Sequence, residues 1–190
     1  MKGFDIAQDV TGHAHQIIDA GYEAVGFYAR SDRASKPFID GLGVVGVHRF
    51  AIFERGQPLT SAYFSLAQAC HDATSACAFL HQVGMPALKP IFFAVDYDAS
   101  DPDIAGPIHA YMMQAQQIVK QAGFLLGVYG SGAVCDFLKL RGIAHYTMLA
   151  QSKMWAHYST ENKDIIQGIE TKVLGWNVDL DTIVNTDVVW

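Results

Sequence analysis

Ile91-Phe92-Phe93-Ala94-Val95-Asp96-Tyr97-Asp98 carries five apolar residues straight into two carboxylates two positions apart. The apolar run reads as a strand buried on both faces, as in a parallel sheet covered by helices. Residues i and i+2 of a strand share a face, so Asp96 and Asp98 are expected to project together from its C-terminal end. Parallel α/β sheets, open or closed, place their sites at that end. Paired carboxylates repel unless something uses them, and they are the working groups of glycoside hydrolysis. The competing reading is local: Asp98, Ser100 and Asp101 precede a helical stretch and could cap it.

Other strands deliver acids as well. Gly3-Phe4-Asp5-Ile6-Ala7 opens the chain as a short strand with Asp5 inside it, and a charge there is costly without a partner. Near the C-terminus, Trp176 to Val184 alternates apolar and polar, with Asp179 and Asp181 on one face and Val178 and Leu180 on the other. A strand from Val44 to Phe53 ends at Glu54.

The pattern around these strands is alternating. Strands are expected at Gly3–Ala7, Ala24–Ala29, Val44–Phe53, Pro90–Val95, Phe124–Tyr129, Tyr146–Gln151, near Asp164–Ile169 and near Asn177–Val184. Helices are expected at Gly12–Ala20, Ser61–Val83, Ile104–Ala122 and Ala133–Leu140, with a short segment at Lys36–Leu42; Gly21, Gly84 and Gly123 supply stops. After the sixth strand the connections are too short for full helices. Eight strands with four or five helices indicate an α/β fold: a TIM-like closed parallel (β/α) barrel with helices missing or shortened in the last third. The rival, an open doubly wound sheet, would carry a GxGxxG after the first strand, and none is present.

With 190 residues, 51% of them hydrophobic, the chain can bury one substantial core, and residues 1–190 are expected to form a single domain. A net charge of −6 argues against a nucleic-acid partner. No stretch approaches the ~18 apolar residues of a membrane span, and Met1–Asp5 has no apolar signal core. Three cysteines are an odd number, and Cys70 and Cys77 on one helix would lie roughly 10.5 Å apart, too far to bridge. The expectation is reduced thiols, synthesis in the cytoplasm without a signal peptide, and action on the cell wall after release or delivery. No metal-ligand motif and no cofactor fingerprint are visible. A monomer is expected.

Together Gly3-Phe4-Asp5, Phe93-Ala94-Val95-Asp96-Tyr97-Asp98, Gly127-Val128-Tyr129-Gly130, Leu149-Ala150-Gln151 and Val178-Asp179-Leu180 resemble the glycoside-hydrolase-like TIM-barrel domains related to the family 25 lysozymes. The resemblance spans nearly the whole chain. It implies muramidase chemistry on peptidoglycan glycan strands, in the manner of a phage endolysin. Family 25 enzymes carry Asp-x-Glu after the fourth strand, with the Glu as proton donor; the matching positions here are Asp96 and Asp98, so the donor position holds an Asp. Asp5 and Asp179 match the family's acids in the first and last strands.

On this reading Asp98 is the acid, its pKa raised by neighbouring carboxylates, and Asp96 the ionised partner. Asp5 and Asp179 tune charge and hold hydroxyls. Tyr97, Tyr129, Trp155 and Trp176, at or past strand ends, are candidate sugar platforms or else packing. Glu54 either contacts substrate or pairs with Arg30 or Arg55. Gln151 and Gln167 are candidate partners for acetamido groups. The alternative function is a catalytically weak or inactive barrel that binds cell-wall glycan, kept open by the Asp at position 98.

Overall fold

The computed structural model describes residues 1–190 and is a closed eight-stranded barrel in the order β1 to β8. The strands are β1 (Lys2–Ile6), β2 (Ala24–Tyr28), β3 (His48–Phe53), β4 (Pro90–Ala94), β5 (Leu125–Gly130), β6 (Tyr146–Leu149), β7 (Ile165–Val173) and β8 (Trp176–Ile183). Helices α1 (Ala14–Asp19), α2 (Lys36–Val44), α3 (Leu66–Val83), α4 (Asp101–Asp103), α5 (His109–Gln121) and α6 (Gly132–Leu140) fall between β1 and β6. No helix separates β6, β7 and β8, so the shortened last third is as expected.

Two apolar layers hold the barrel. Outward residues such as Phe4, Phe27, Phe53, Ile91, Phe93, Leu126 and Val128 form the larger core against the helices. Inward residues Phe50, Ile52, Phe92, Met148, Ile165 and Ile183 fill the lower barrel, and Val188 and Val189 close its base. Gly127 makes room for this plug, because a Cβ there would lie 2.7 Å from the Phe92 ring. At Gly26 a Cβ would collide with the Phe50 ring and stand 2.8 Å from Asp5 Cβ. Bare backbone at position 26 is thus what lets a phenylalanine lie beneath a carboxylate.

The structure corrects the expected parallel closure. β1 to β7 are parallel in sequence, but β8 runs antiparallel to both β7 and β1. β7 continues to Val173, past the expected end at Ile169, and turns at Leu174-Gly175 with φ of 52° and 90°. Two consecutive positive φ values make the tight hairpin turn that fits strand twist, and a two-residue link can join strands only antiparallel. Trp176 therefore lies at the same end of the barrel as the C-termini of β1 to β7.

Other boundaries shift for local reasons. α2 extends to Val44 and the chain turns at Gly46 (φ 79°), so β3 starts at His48 and not at Val44. A short 3-10 turn, Ser61–Tyr63, precedes α3, whose N-cap is Ser65, its side chain accepting from Gln68 N. Between α4 and α5 the helix widens into a π turn, Ile104–Ile108, around Pro107, which lacks an N–H.

Candidate active site

The strand alternation points Asp5, Tyr28, Ile52, Glu54, Asp96, Tyr129, Gln167, Asp179 and Asp181 into the upper barrel. Asp5 and Asp179 are direct Cα partners across β1 and β8, and Asp181 lies opposite Gln167 of β7. A pocket of about 160 Å³ opens here, lined by Tyr28, Ile52, Glu54, Asp96, Tyr129, Gln151, Gln167 and Asp179. A second hollow of about 220 Å³ shares Tyr28 and Asp179 and exposes an edge of Asp5 beside Glu170 and Asn177. No lysine, arginine or histidine lines either one.

A hydrogen-bond chain crosses the floor. Tyr129 OH donates to Gln167 Oε1 at 2.9 Å and stands 3.5 Å from Asp96 Oδ1. Gln167 Nε2 donates to Asp5 Oδ2 at 3.1 Å. Gln151 contributes its backbone N–H, 3.4 Å from Gln167 Oε1.

Without cations the carboxyls hold their protons tightly. Burial, then Asp179, pushes Asp5 up to about 7. Burial, then Glu170 and Asp96, raises Asp179. Burial raises Asp96 against a lowering hydrogen bond from Tyr129. Glu54 is raised by burial and then by Asp96. Arg30 only partly offsets this, since its Nη1 donates to the Glu54 carbonyl and its Nε and Nη2 are bonded to Asp32. Of the two expectations for Glu54, a place in the pocket or pairing with Arg30 or Arg55, the structure gives the first, and Arg30 meets only its backbone carbonyl. Tyr28 and Tyr129 are both raised by burial and surrounding carboxylates, so they remain protonated donors.

Of the residues singled out in the sequence, Asp5, Glu54, Asp96, Tyr129, Gln151, Gln167 and Asp179 come together. Four others do not line the pocket. Asp98 is exposed, and its Oδ1 accepts from Ala156 N at 2.8 Å. The last ladder bond on that side runs from Val95 N to Tyr129 O and Asp96 N already bonds Pro58 O, so the two-residue alternation no longer applies at Asp98. Tyr97 stacks on Phe64 and reaches Asp103 with its hydroxyl. Trp155 sits in the segment after β6, its N–H bonded to Ser152 O. Trp176 packs edge-on against His13. Ser131 caps α6 by accepting from Val134 N, so Gly130-Ser131-Gly132 is a strand-to-helix turn. Tyr28 and Asp181 joined the site unassigned by the sequence reading; the inward alternation of β2 and β8 was the available signal.

A closed (β/α) barrel that gathers uncompensated carboxylates at its C-terminal rim defines a glycoside-hydrolase-like domain. The chain belongs to the family of Rv2525c-like, glycoside hydrolase-like domains, whose model matches residues 15–188. It is 29% identical over 164 residues to YbfG of Bacillus subtilis (strain 168), covering 77% of this chain and 22% of that protein. The chain thus spans less than a quarter of that curated relative. Its fold is similar to that of the Tat-secreted protein Rv2525c of Mycobacterium tuberculosis in complex with L-tartrate, with a TM-score of 0.85, 18% identity, and coverage of 97% and 96% of the two chains. It is also similar to the catalytic domain of endolysin Ply40 from bacteriophage P40 of Listeria monocytogenes, with a TM-score of 0.62, 12% identity, and coverage of 99% and 95%.

One expectation is overturned by this comparison. Synthesis in the cytoplasm without a signal peptide, with action on the cell wall after release or delivery, was expected, but Rv2525c, of similar fold, is a Tat-secreted protein. The residues at the start of this chain carry no argument about its location.

Proposed function

We propose that this barrel cleaves the glycan strand of peptidoglycan as an N-acetylmuramidase, by carboxylate acid/base chemistry in the upper-barrel pocket. The observation that carries the reading is that Glu54, Asp96 and Asp179 line one pocket and Asp5 the adjoining hollow, all with raised pKa values and no basic side chain among them. In such a set at least one carboxyl keeps its proton toward neutral pH while a neighbour stays ionised, the division of labour that glycoside hydrolysis needs. The glycoside-hydrolase-like family and the endolysin fold similarity support the substrate class.

Asp96 is the proton donor in this proposal. It lies two residues beyond the fourth strand, lines the pocket and is raised by burial. Glu54 is the ionised partner, drawn that way by Arg30 and Arg33. Asp179 and Asp5 lie deeper and set the local charge. Tyr129 and Gln167 orient the carboxyls and offer hydrogen bonds to sugar hydroxyls or acetamido groups. Asp98 fastens the segment carrying Ala156 to the rim.

A glycan-binding barrel without turnover is the second reading. It is favoured by the place of Asp98, the position matching the lysozymes' donor, outside the pocket lining. Mass spectrometry of the ends released from purified peptidoglycan tests both. New reducing N-acetylmuramic acid ends support the muramidase; firm pull-down without new ends supports the binder.

A further inference from the structure

Asp181 is a buried carboxyl with no part in the chemistry above. It lies on the inward face of β8 two residues beyond Asp179, opposite Gly3 of β1 and Gln167 of β7. This register puts it diagonal to Asp5 on the same inward face. It is 4% exposed, and neither of its oxygens meets a donor anywhere in the protein.

The charged and titratable groups around it are acidic or neutral: Asp5 on β1 and Asp179 on β8 itself, and about those two Tyr28 on β2, Glu54 beyond β3, Asp96 beyond β4, Tyr129 on β5 and Glu170 on β7. The α-amino group of Met1, at the base, is engaged by the Ile183 carbonyl. Two ionised carboxylates side by side in this setting are untenable, and one shared proton relieves both.

Gln167 decides which partner holds that proton. The Gln151 and Tyr129 donors require its Oε1, so its Nε2 must face Asp5. Asp5 thereby receives a donor that favours its ionised form, and Asp181 receives none. We propose that Asp181 keeps its proton through neutral pH and donates it in a hydrogen bond to Asp5, acting as a positioning residue that fixes Asp5 and leaves it the ionisable member of the pair. Burial followed by Asp5 pushes Asp181 well above the usual carboxylate range, in agreement with this arrangement.

The pair itself is independent of the muramidase reading; only its effect on turnover rests on that reading. The test is ¹³C NMR of uniformly labelled protein, with the Asp181 carboxyl assigned by through-bond correlation to its own backbone. The Asp181 resonance is expected to stay in its protonated position from about pH 4 to 8, while Asp5 titrates near neutrality. Asp181→Asn keeps a donor and should leave the Asp5 midpoint nearly in place. Asp181→Leu has none and should move it up by roughly one pH unit. An Asp181 midpoint near the ordinary ~3.9 would overturn the proposal even if neither variant folds. So would an unchanged Asp5 midpoint in a folded Asp181→Leu protein. No substrate is needed, so a protein inert on peptidoglycan but with protonated Asp181 would remove the muramidase reading alone.

Discussion

Asp5 and Asp179 stand directly opposite one another, Cα partners across the antiparallel β1–β8 pair, with both carboxyls turned into the barrel. Like charges in directly opposed positions destabilise a sheet. Here the effect is to make each a poorer place for negative charge, with Asp179 second only to burial among the causes that raise Asp5. Reversal of β8 creates the opposition. A parallel eighth strand would enter from the base, whereas the hairpin brings Asp179 down from the rim.

Asp5 binds its proton more tightly in the folded protein than in the unfolded chain. Its contribution to stability is therefore complete below about pH 4 and is lost as pH rises through about 7. Asp5→Asn should raise the melting temperature at pH 8, by an amount equivalent to at most roughly 4 kcal/mol, and change it little at pH 4. Thermal melts of both proteins at the two pH values decide this; an equal shift at both would remove the carboxyl's ionisation as the cause.

Asp96 and Asp98 separate the roles of pocket and rim. Asp96→Asn is expected to lower the release of reducing ends by roughly 10²–10⁴ with folding intact. Asp98→Asn alters only the acceptor for Ala156 N, so its effect should stay within about tenfold and fall on KM more than kcat. Steady-state kinetics on soluble peptidoglycan fragments compare the two. A greater loss from Asp98→Asn would return the donor role to Asp98.

Strand order and the gathering of acids were legible in the sequence because both follow from period-two alternation, which β1, β4 and β8 keep throughout. Asp98 was misplaced because that rule was carried past Asp96, whose N–H has already left the sheet for the Pro58 carbonyl. The direction of β8 was missed because the run Glu170 to Val173 is polar enough to resemble a loop, although Leu174-Gly175 between two strands signals a hairpin. Tyr28 needed the inward face of β2 to be counted from Gly26. Asp181 was seen to share Asp179's face, but its lack of any donor is a property of the closed barrel, not of its neighbours in sequence.

Cys70, Cys77 and Cys135 are all free, and only Cys70 is exposed. Burial pushes Cys77 up to about 11 and Cys135 to about 12. Native protein treated with a thiol reagent near neutral pH should therefore show one fast-reacting group and, after denaturation without reductant, three. Fewer than three in the denatured state would mean a disulfide the structure does not contain.

The pH profile of hydrolysis discriminates enzyme from binder. Asp96 and Glu54 face one pocket, and each is raised by burial. The proton must stay on the donor and leave the partner, so turnover is expected to be bell-shaped and centred on the acidic-to-neutral side. The low-pH limb reports ionisation of Glu54, and the high-pH limb reports loss of the donor proton. Glu54→Gln should remove the low-pH limb together with most of the activity. Reducing ends released between about pH 4 and 9, measured beside pull-down on the same peptidoglycan, test this. Adhesion without new ends at any pH would make the barrel a glycan-binding module, and new amino termini in place of reducing ends would mean that the bond cut is a peptide or amide.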